Sequence, residues 1–168
     1  MKTRNGFVSN SSSSNFIVAF SQVPETIDEL KHMMFGDVET IEALWDWQNP
    51  VSTHEMAEVV FRDMEKGEVD HQRIVEEVKM GWFPGCPHYS TLYPYNRNED
   101  DEKRKNDWND FQKIWDEQCN KVAQDFMDKH PDVHFFVFSY SDNDGELYEA
   151  MEHGEIFDKI PHLCISHH

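Results

Sequence analysis

The first feature of this sequence that could do chemistry is a run of hydroxyl and amide side chains near its start. Its members are Ser9, Asn10, Ser11, Ser12, Ser13 and Ser14. Apolar residues on both sides, Phe7 and Phe16, could anchor the run as a loop, and its hydroxyls and exposed amides could then bind an anion such as phosphate. The run lacks the glycine-rich cradle and Lys-Ser pair of a nucleotide-binding loop. We therefore predict a binding loop, and the alternative is a mobile, solvated linker.

A second candidate lies in the C-terminal quarter, where histidines and acids accumulate after residue 141. Glu149 and His153 are four residues apart, which is one helical turn, and they could hold Zn²⁺ or Fe²⁺ if His162 or His167 supplied a third ligand. The candidate metal ligands are Asp142, Asp144, Glu149, His153 and His162. The alternative is that these residues make ordinary surface contacts after an ordinary turn.

The two candidates could also be combined in one hydrolytic site. A serine of the run would be the nucleophile, and His153 or His162 would be the general base. Asp142 or Asp144 would orient that base. The Gly-x-Ser-x-Gly turn that often presents such a serine is absent from the sequence. The second hypothesis for function is a small metal-dependent enzyme of hydrolase type that uses the C-terminal cluster of histidines and acids.

The charge balance limits the class of partner. Acidic residues number 33 against 15 lysines and arginines, which gives a formal net charge of −18. This charge repels nucleic-acid phosphates and anionic lipids, so we expect no nonspecific binding of DNA or RNA and instead expect a partner protein with a basic surface. No apolar stretch approaches the ~20 residues of a membrane span, and three widely separated cysteines suit the cytoplasm. The first hypothesis for function is thus an acidic cytoplasmic binding or accessory protein that acts through its acidic surface and the serine loop.

The N-terminal run also resembles a motif of small uncharacterised proteins from bacteria and their phages. In those proteins Gly-Phe-Val-Ser-Asn is followed by several serines and a phenylalanine, and here the string runs from Arg4 to Phe16. Asn15 departs from the pattern, which usually has another serine at that position. The resemblance covers only this N-terminal stretch and implies no known activity, fold or catalytic residue. It indicates that the serines are specified, and it suggests a phage-related or bacterial protein.

Two apolar segments must position these residues. Residues 16–20 and residues 133–140 are rich in β-branched and aromatic side chains, which predicts two buried, neighbouring strands. Between them, apolar residues recur every three or four positions and predict a long helix: Trp108, Phe111, Trp115, Cys119, Val122 and Phe126. We expect the helix face that carries Trp108, Trp115 and Phe126 to pack on the sheet.

Other elements are predicted from capping residues and composition. Thr26, Ser52 and Asp70 each precede an apolar pattern of helical period, which predicts three helix starts. Further short helices are predicted at residues 38–45 and 147–154, and a last strand at residues 163–166. Residues 82–98 are rich in proline and aromatic rings, so they predict a loop that lies on the body of the protein or lines a pocket.

Strands near both chain ends with helices between them predict an α+β fold. Residues 1–168 are expected to form a single domain, since this length is enough to bury one hydrophobic core. The sheet is expected to be small and mixed, formed by strands near both ends and covered by several helices that include one long helix.

Overall fold

The computed structural model describes residues 13–42, 49–94, 100–153 and 155–167 of the 168-residue chain. The strands are β1 (Ser13–Phe20), β2 (Thr40–Ile41), β3 (Val51–Ser52), β4 (His134–Ser141) and β5 (His162–Ser166). The α-helices are α1 (Ile27–Phe35), α2 (Thr53–Asp63), α3 (His71–Met80), α4 (Tyr89–Leu92), α5 (Asp101–Lys129) and α6 (Glu146–His153). Short 3-10 turns, Met64–Lys66 and Asp142–Asp144, follow α2 and β4.

The strand β1 lies at the centre of a three-stranded sheet with the order β4-β1-β5. Both neighbours run antiparallel to it, with Phe16 opposite Phe138 on β4 and opposite Cys164 on β5. The predicted pairing of residues 16–20 with residues 133–140 is confirmed. The α+β fold is confirmed as well, because strands from both ends of the chain build the small sheet. A separate two-stranded pairing joins β2 to β3.

Helices cover both faces of the three-stranded sheet. Phe16, Val18 and Phe20 face the side on which α1, α2 and α6 pack. Ile17 and Ala19 face the opposite side, against α3 and α5. All five of these residues are at most 4% exposed, so β1 is buried on both faces. This double burial explains its unbroken apolar sequence.

The long helix is confirmed, although only part of it packs on the sheet. Cys119 and Ala123 are fully buried, and the rings of Phe126 and Phe135 lie 5.7 Å apart. Trp108 is 49% exposed, so the prediction that it packs on the sheet is wrong. The physical reason is length, because the 29 residues of α5 span ~44 Å while the eight residues of β4 span only ~27 Å. The N-terminal half of α5 therefore extends past the sheet.

Helix starts follow the predicted capping residues. The side-chain oxygens of Thr26, Ser52 and Asp70 accept hydrogen bonds from the backbone amide three residues ahead, at 3.1, 3.3 and 2.9 Å. Asp100 caps α5 in the same way at 2.7 Å. Each such cap satisfies an amide that has no partner within the helix, and it stabilises the helix by about 1 kcal/mol.

The segment between α1 and α2 differs from its prediction. Residues 38–45 are predicted as a helix, but Thr40–Ile41 is a strand that pairs with Val51–Ser52, and residues 43–48 lie outside the described ranges. The buried Thr53 holds this segment in place, because its Oγ1 donates to the Val38 carbonyl at 2.6 Å and its amide donates to the Glu39 carbonyl at 3.0 Å. These hydrogen bonds between distant residues favour the strand more than the helical spacing of the apolar residues favours a helix.

The remaining predicted elements lie close to their expected positions. The helix predicted at residues 147–154 corresponds to α6 as far as His153, residue 154 lies outside the described ranges, and residues 163–166 correspond to β5. Of the predicted loop at residues 82–98, the part through Pro94 is described, and it is irregular apart from the single turn of α4. No helix within the described ranges combines the length and the apolarity that crossing a membrane requires.

Candidate functional site

The structure places part of the serine run in the sheet. Ser13 and Ser14 are the first two residues of β1 and lie opposite Ser141 and Tyr140 of β4, so the prediction of a loop is wrong for these two serines. The antiparallel ladder extends through them and satisfies their backbone groups. The other members of the run lie outside the described residues: Ser9, Asn10, Ser11 and Ser12. Their role as a binding loop stays a prediction.

Polar groups do converge at the end of the sheet where β1 begins. Ser14 is 4% exposed, and its hydroxyl bonds the thiol of Cys164 on β5. The carboxylate of Glu152 on α6 is also buried and accepts a hydrogen bond from the Asp142 amide at 2.8 Å. Burial raises the pKa of Cys164, the hydrogen bond with Ser14 opposes this effect, and the charge of Glu152 adds to it. A thiol with a raised pKa is a poor nucleophile at neutral pH.

The two histidines proposed as general bases make contacts of their own. The hydroxyl of Ser14 bonds the Cys164 thiol, whereas the proposed general base His153 lies beside Glu152, with its Nε2 3.8 Å from Glu152 Oε2. The other proposed base, His162, bonds through Nδ1 to the Ile160 carbonyl at 3.0 Å. Ser9, Ser11 and Ser12, which could also supply the nucleophile, lie outside the described residues, so the hydrolytic site stays a prediction.

The predicted metal ligands are not gathered around a common point. Among the residues that the structure describes, no group of three or more His, Cys, Asp or Glu side chains is arranged to hold a metal ion. His162 lies opposite Val18, whereas Asp142 follows the residue that lies opposite Ser13. Five strand residues, or roughly 17 Å, separate these two positions along β1. Within the described ranges, the geometry therefore gives no support to the predicted zinc or iron centre.

Aromatic rings from the segment after α3 and from α5 enclose a groove with a volume of about 510 Å³. This aromatic groove is lined by Lys79, Met80, Gly81, Trp82, Tyr89, Trp108, Phe111, Gln112 and Trp115. Tyr89 contacts both Trp108 and Phe111 with ring centroids 5.3 Å apart. Trp82 meets Trp115 edge-on at 6.1 Å. The rings support one another and keep the groove open between the two elements.

Two tryptophans of the aromatic groove present their rings to solvent. Trp82 is 42% exposed and Trp108 is 49% exposed. The backbone of Trp82 is fixed to β5, because it donates to the Ser166 carbonyl at 2.7 Å and accepts from the Ser166 amide at 2.8 Å. The indole of Trp82 also stacks on His88, with centroids 4.8 Å apart and planes 18° apart. The exposed rings are therefore held in position before any ligand arrives.

The rim of the aromatic groove carries an ion pair. Lys79 Nζ lies 2.8 Å from Asp116 Oδ1, and this hydrogen bond raises the pKa of Lys79. Lys79 therefore stays protonated, with its charge balanced by the carboxylate of Asp116. The groove thus presents aromatic faces without an uncompensated positive charge from this lysine.

A larger cavity of about 790 Å³ lies between β4 and α3. This edge cavity is lined by Asn15, Lys66, Gly67, Val69, Arg73, Glu76, Glu77, Lys79, Met80, Val137 and Ser139. A chain of polar contacts forms one wall. Ser139 Oγ donates to Asn15 Oδ1 at 2.6 Å, and Asn15 Nδ2 donates to Glu77 Oε2 at 2.7 Å. Arg73 pairs with the other oxygen of Glu77, a carboxylate that is 5% exposed.

The sequence predicts the aromatic groove in outline, but it does not predict the edge cavity. Trp82 and Tyr89 belong to the segment that was expected to line a pocket, and they do so. Glu77 was missed, although it follows Ile74 by three residues and so falls on the buried face of α3. A carboxylate on an apolar helix face is a signal that a polar partner lies opposite. That partner, Asn15, is itself a polar residue at the start of an apolar strand.

Comparison with models of protein families, with curated proteins and with solved structures gave no match for this chain. The resemblance of the N-terminal run to bacterial and phage proteins therefore stays a prediction. Functional inference accordingly depends on the two cavities and on the charge of the molecule.

Proposed function

We propose that this protein is an acidic binding protein whose working surface is the aromatic groove and whose ligand is a cationic segment of a partner protein. The observation that carries the proposal is the pair of half-exposed tryptophans, Trp82 and Trp108, at a groove of about 510 Å³. Large exposed rings around a concave surface are unusual in a protein without a ligand or partner. They supply binding energy when a ligand covers them.

The chemistry of the groove favours a positive ligand. A guanidinium or ammonium group over an aromatic face is stabilised by about 0.5–2 kcal/mol, with tryptophan the best of the aromatic residues. The net charge of −18 attracts basic segments over a longer range and repels phosphates. The charge would therefore steer a basic segment toward the protein, and the rings would hold its arginine or lysine side chains.

This proposal keeps the acidic surface of the first hypothesis and replaces the serine loop with the aromatic groove as the short-range contact. Ser13 and Ser14 are strand residues, and the other residues of the run are not described, so the serines carry no part of it. We place the protein in the cytoplasm, and this part of the proposal is supported by three cysteines that are all free: Cys86, Cys119 and Cys164.

The test compares two peptides that differ only in charge. One alternates arginine with serine, and the other has citrulline in place of each arginine, which preserves size and shape. Titration calorimetry should show binding of the arginine peptide and at least tenfold weaker binding of the citrulline peptide. Rising salt should weaken binding without abolishing it, because the Debye length falls to about 8 Å at physiological ionic strength while ring contacts are short-ranged.

Variants of the chain then distinguish the contribution of the rings to affinity from that of the overall negative charge. Trp82→Ala and Trp108→Ala should each lower affinity for the arginine peptide about two- to fivefold. Leu92→Ala is the matched control, because Leu92 is 46% exposed in the same segment and does not line the groove. Binding that is equal in the tryptophan variants and the wild-type protein would show that the acidic field acts alone. The aromatic groove would then be the wrong site.

A further inference from the structure

The strand β4 lies at one edge of the sheet, so one side of its backbone faces away from β1. Val69 donates a hydrogen bond of 2.9 Å from its amide to the Phe135 carbonyl, which identifies Phe135 as a residue whose backbone points outward. Backbone groups alternate in direction along an antiparallel strand. Val137 and Ser139 therefore also point their amides and carbonyls outward, whereas Phe136 and Phe138 point theirs toward β1.

These outward groups are available for pairing. Among the backbone hydrogen bonds of the described residues, the one from Val69 to Phe135 is the only bond that reaches this edge. The sequence of β4, His-Phe-Phe-Val-Phe-Ser-Tyr-Ser, contains none of the lysines or prolines that protect many edge strands from pairing. The amides and carbonyls of Val137 and Ser139 are thus an open template for one more strand.

The edge cavity lies on the face of the sheet that α3 covers, next to this edge. Val137 and Ser139 both line it, together with Asn15 of β1 and residues of α3. An added strand would lie about 4.8 Å from β4 in the plane of the sheet, and its side chains on the α3 side would point toward the cavity. The contacts from Ser139 through Asn15 to Glu77 hold one wall of the cavity in a single arrangement. The site is therefore formed in advance and needs no rearrangement of β4.

The charges around the cavity indicate what kind of segment fits. Three cations and two carboxylates line it: Lys66, Arg73, Lys79, Glu76 and Glu77. Lys66 lies 3.5 Å from Asp63, and Arg73 pairs with Glu77. Lys79 pairs with Asp116, so each of the three cations has a carboxylate nearby and the cavity lacks the large excess of negative charge of the chain as a whole. An uncharged segment meets no net repulsion, whereas a second copy of this chain would bring another −18 charges toward the first.

We propose that β4 binds an extended, uncharged peptide segment of a partner protein by β-strand addition, through the backbone groups of Val137 and Ser139. The main chain supplies the affinity, and the side chains of alternate residues of the segment enter the edge cavity. The edge cavity adjoins the aromatic groove, since Lys79 and Met80 line both, but the backbone groups proposed to bind the segment belong to β4 and need no cationic side chain in the ligand.

The probe is an acetylated and amidated peptide of alternating threonine and valine with a serine at each end, which contains no charge. Amide hydrogen exchange is measured by NMR on the full chain, with and without millimolar peptide. The amides of Val137 and Ser139 should exchange rapidly in the free protein and at least tenfold more slowly with peptide. The amides of Phe136 and Phe138 should be protected in both states. The same peptide with its central amides N-methylated should protect none of the outward amides.

Two variants of Val137 sharpen this test. Val137→Pro removes one outward amide and leaves the β1 ladder intact, because that amide does not pair with β1. Val137→Ala removes a similar amount of side chain and keeps the amide. The proline variant should lose at least tenfold in peptide affinity, while the alanine variant stays within about threefold of wild type. If the proline variant does not fold, the exchange measurement on the wild-type chain decides the question by itself.

Three results would overturn the proposal. One is an absence of protection at Val137 and Ser139 at saturating peptide. Another is slow exchange of both amides in a free monomer, which would mean that the chain covers its own edge. The third is slow exchange together with a dimeric mass in solution, which would make a second copy the occupant. Because the probe carries no charge, none of these results bears on cation binding in the aromatic groove.

Discussion

Asn15 on the central strand donates a hydrogen bond of 2.7 Å from Nδ2 to Glu77 Oε2 on α3, across 62 positions of sequence. This bond lets a carboxylate that is only 5% exposed lie beside the sheet, because Asn15 and Arg73 each satisfy one of its oxygens. The same bond joins the wall of the edge cavity to the helix that packs on the sheet. This pair of residues therefore contributes both to the stability of the fold and to the shape of the cavity.

Asn15→Ala should destabilise the protein by about 1–3 kcal/mol, because it leaves a buried oxygen of Glu77 without its donor. The measurement is urea unfolding followed by circular dichroism. In a double-mutant cycle, Glu77→Leu removes the carboxylate, so adding Asn15→Ala to that variant should cost at least 0.5 kcal/mol less than it does in wild type. Strictly additive losses would contradict the coupling between these two residues.

Phe136→Ala should be among the costliest single truncations, with a loss of about 3–5 kcal/mol. Phe136 is 4% exposed and its ring packs edge-on against Phe20 at 5.8 Å, so the truncation leaves a cavity in the core. Trp108→Ala is the comparison, because Trp108 is 49% exposed, and its loss should be below about 1.5 kcal/mol. Equal shifts of the melting temperature for the two variants would show that the core is assigned wrongly.

Tyr140→Phe should leave the stability unchanged or raise it by up to about 1 kcal/mol. Tyr140 is 1% exposed, and its hydroxyl has no hydrogen-bond partner within the described part of the chain. Burial accordingly raises the pKa of this hydroxyl well above its usual value. Tyr148→Phe is the control, since the Tyr148 hydroxyl accepts a hydrogen bond from Arg62 at 3.3 Å. A loss of more than 1 kcal/mol for Tyr140→Phe would indicate a partner for its hydroxyl.

The stability of the fold should fall as the pH rises from about 9 to about 11. Burial raises the pKa of the Cys119 thiol from 9.0 to about 11, so in this window the folded chain keeps a proton that the unfolded chain releases. The excess of protons on the folded state makes its free energy of unfolding decrease with pH. Cys119→Ala should make this decrease shallower, as measured by urea midpoints across the window. The decrease should persist in part, because burial also raises the pKa values of Cys164 and Tyr140.

If the free energy of unfolding of Cys119→Ala fell with pH as steeply as that of wild type, the thiol would have the same pKa in the folded and unfolded chains. A second measurement uses iodoacetamide at pH 8, where the buried, protonated Cys119 should react far more slowly in the folded protein than after unfolding in urea. Rapid alkylation of Cys119 in the folded state would contradict its burial.

The elements of this protein that local signals specify could be predicted from its sequence. The side-chain oxygens of Thr26, Ser52 and Asp70 accept hydrogen bonds from amides three residues ahead, so the local sequence pattern was enough to locate three helix starts. The apolar run of residues 16–20 could be recognised as a strand buried on both faces, because a strand with one face in water would alternate apolar and polar residues. The α+β fold followed from the order of these elements along the chain.

Which distant residues share a site could not be predicted in this way, because it depends on how the elements pack in three dimensions. Ser139 and Asn15 are 124 positions apart and meet because β4 and β1 pair in one particular register. A shift of one residue would turn every side chain of the strand to the opposite face. Likewise, Trp108 looked like a core residue by its spacing, and it became part of an open groove because α5 is longer than the sheet that it covers. Periodicity shows which face of a helix is apolar, whereas the size and position of the neighbouring elements determine how much of that face is buried.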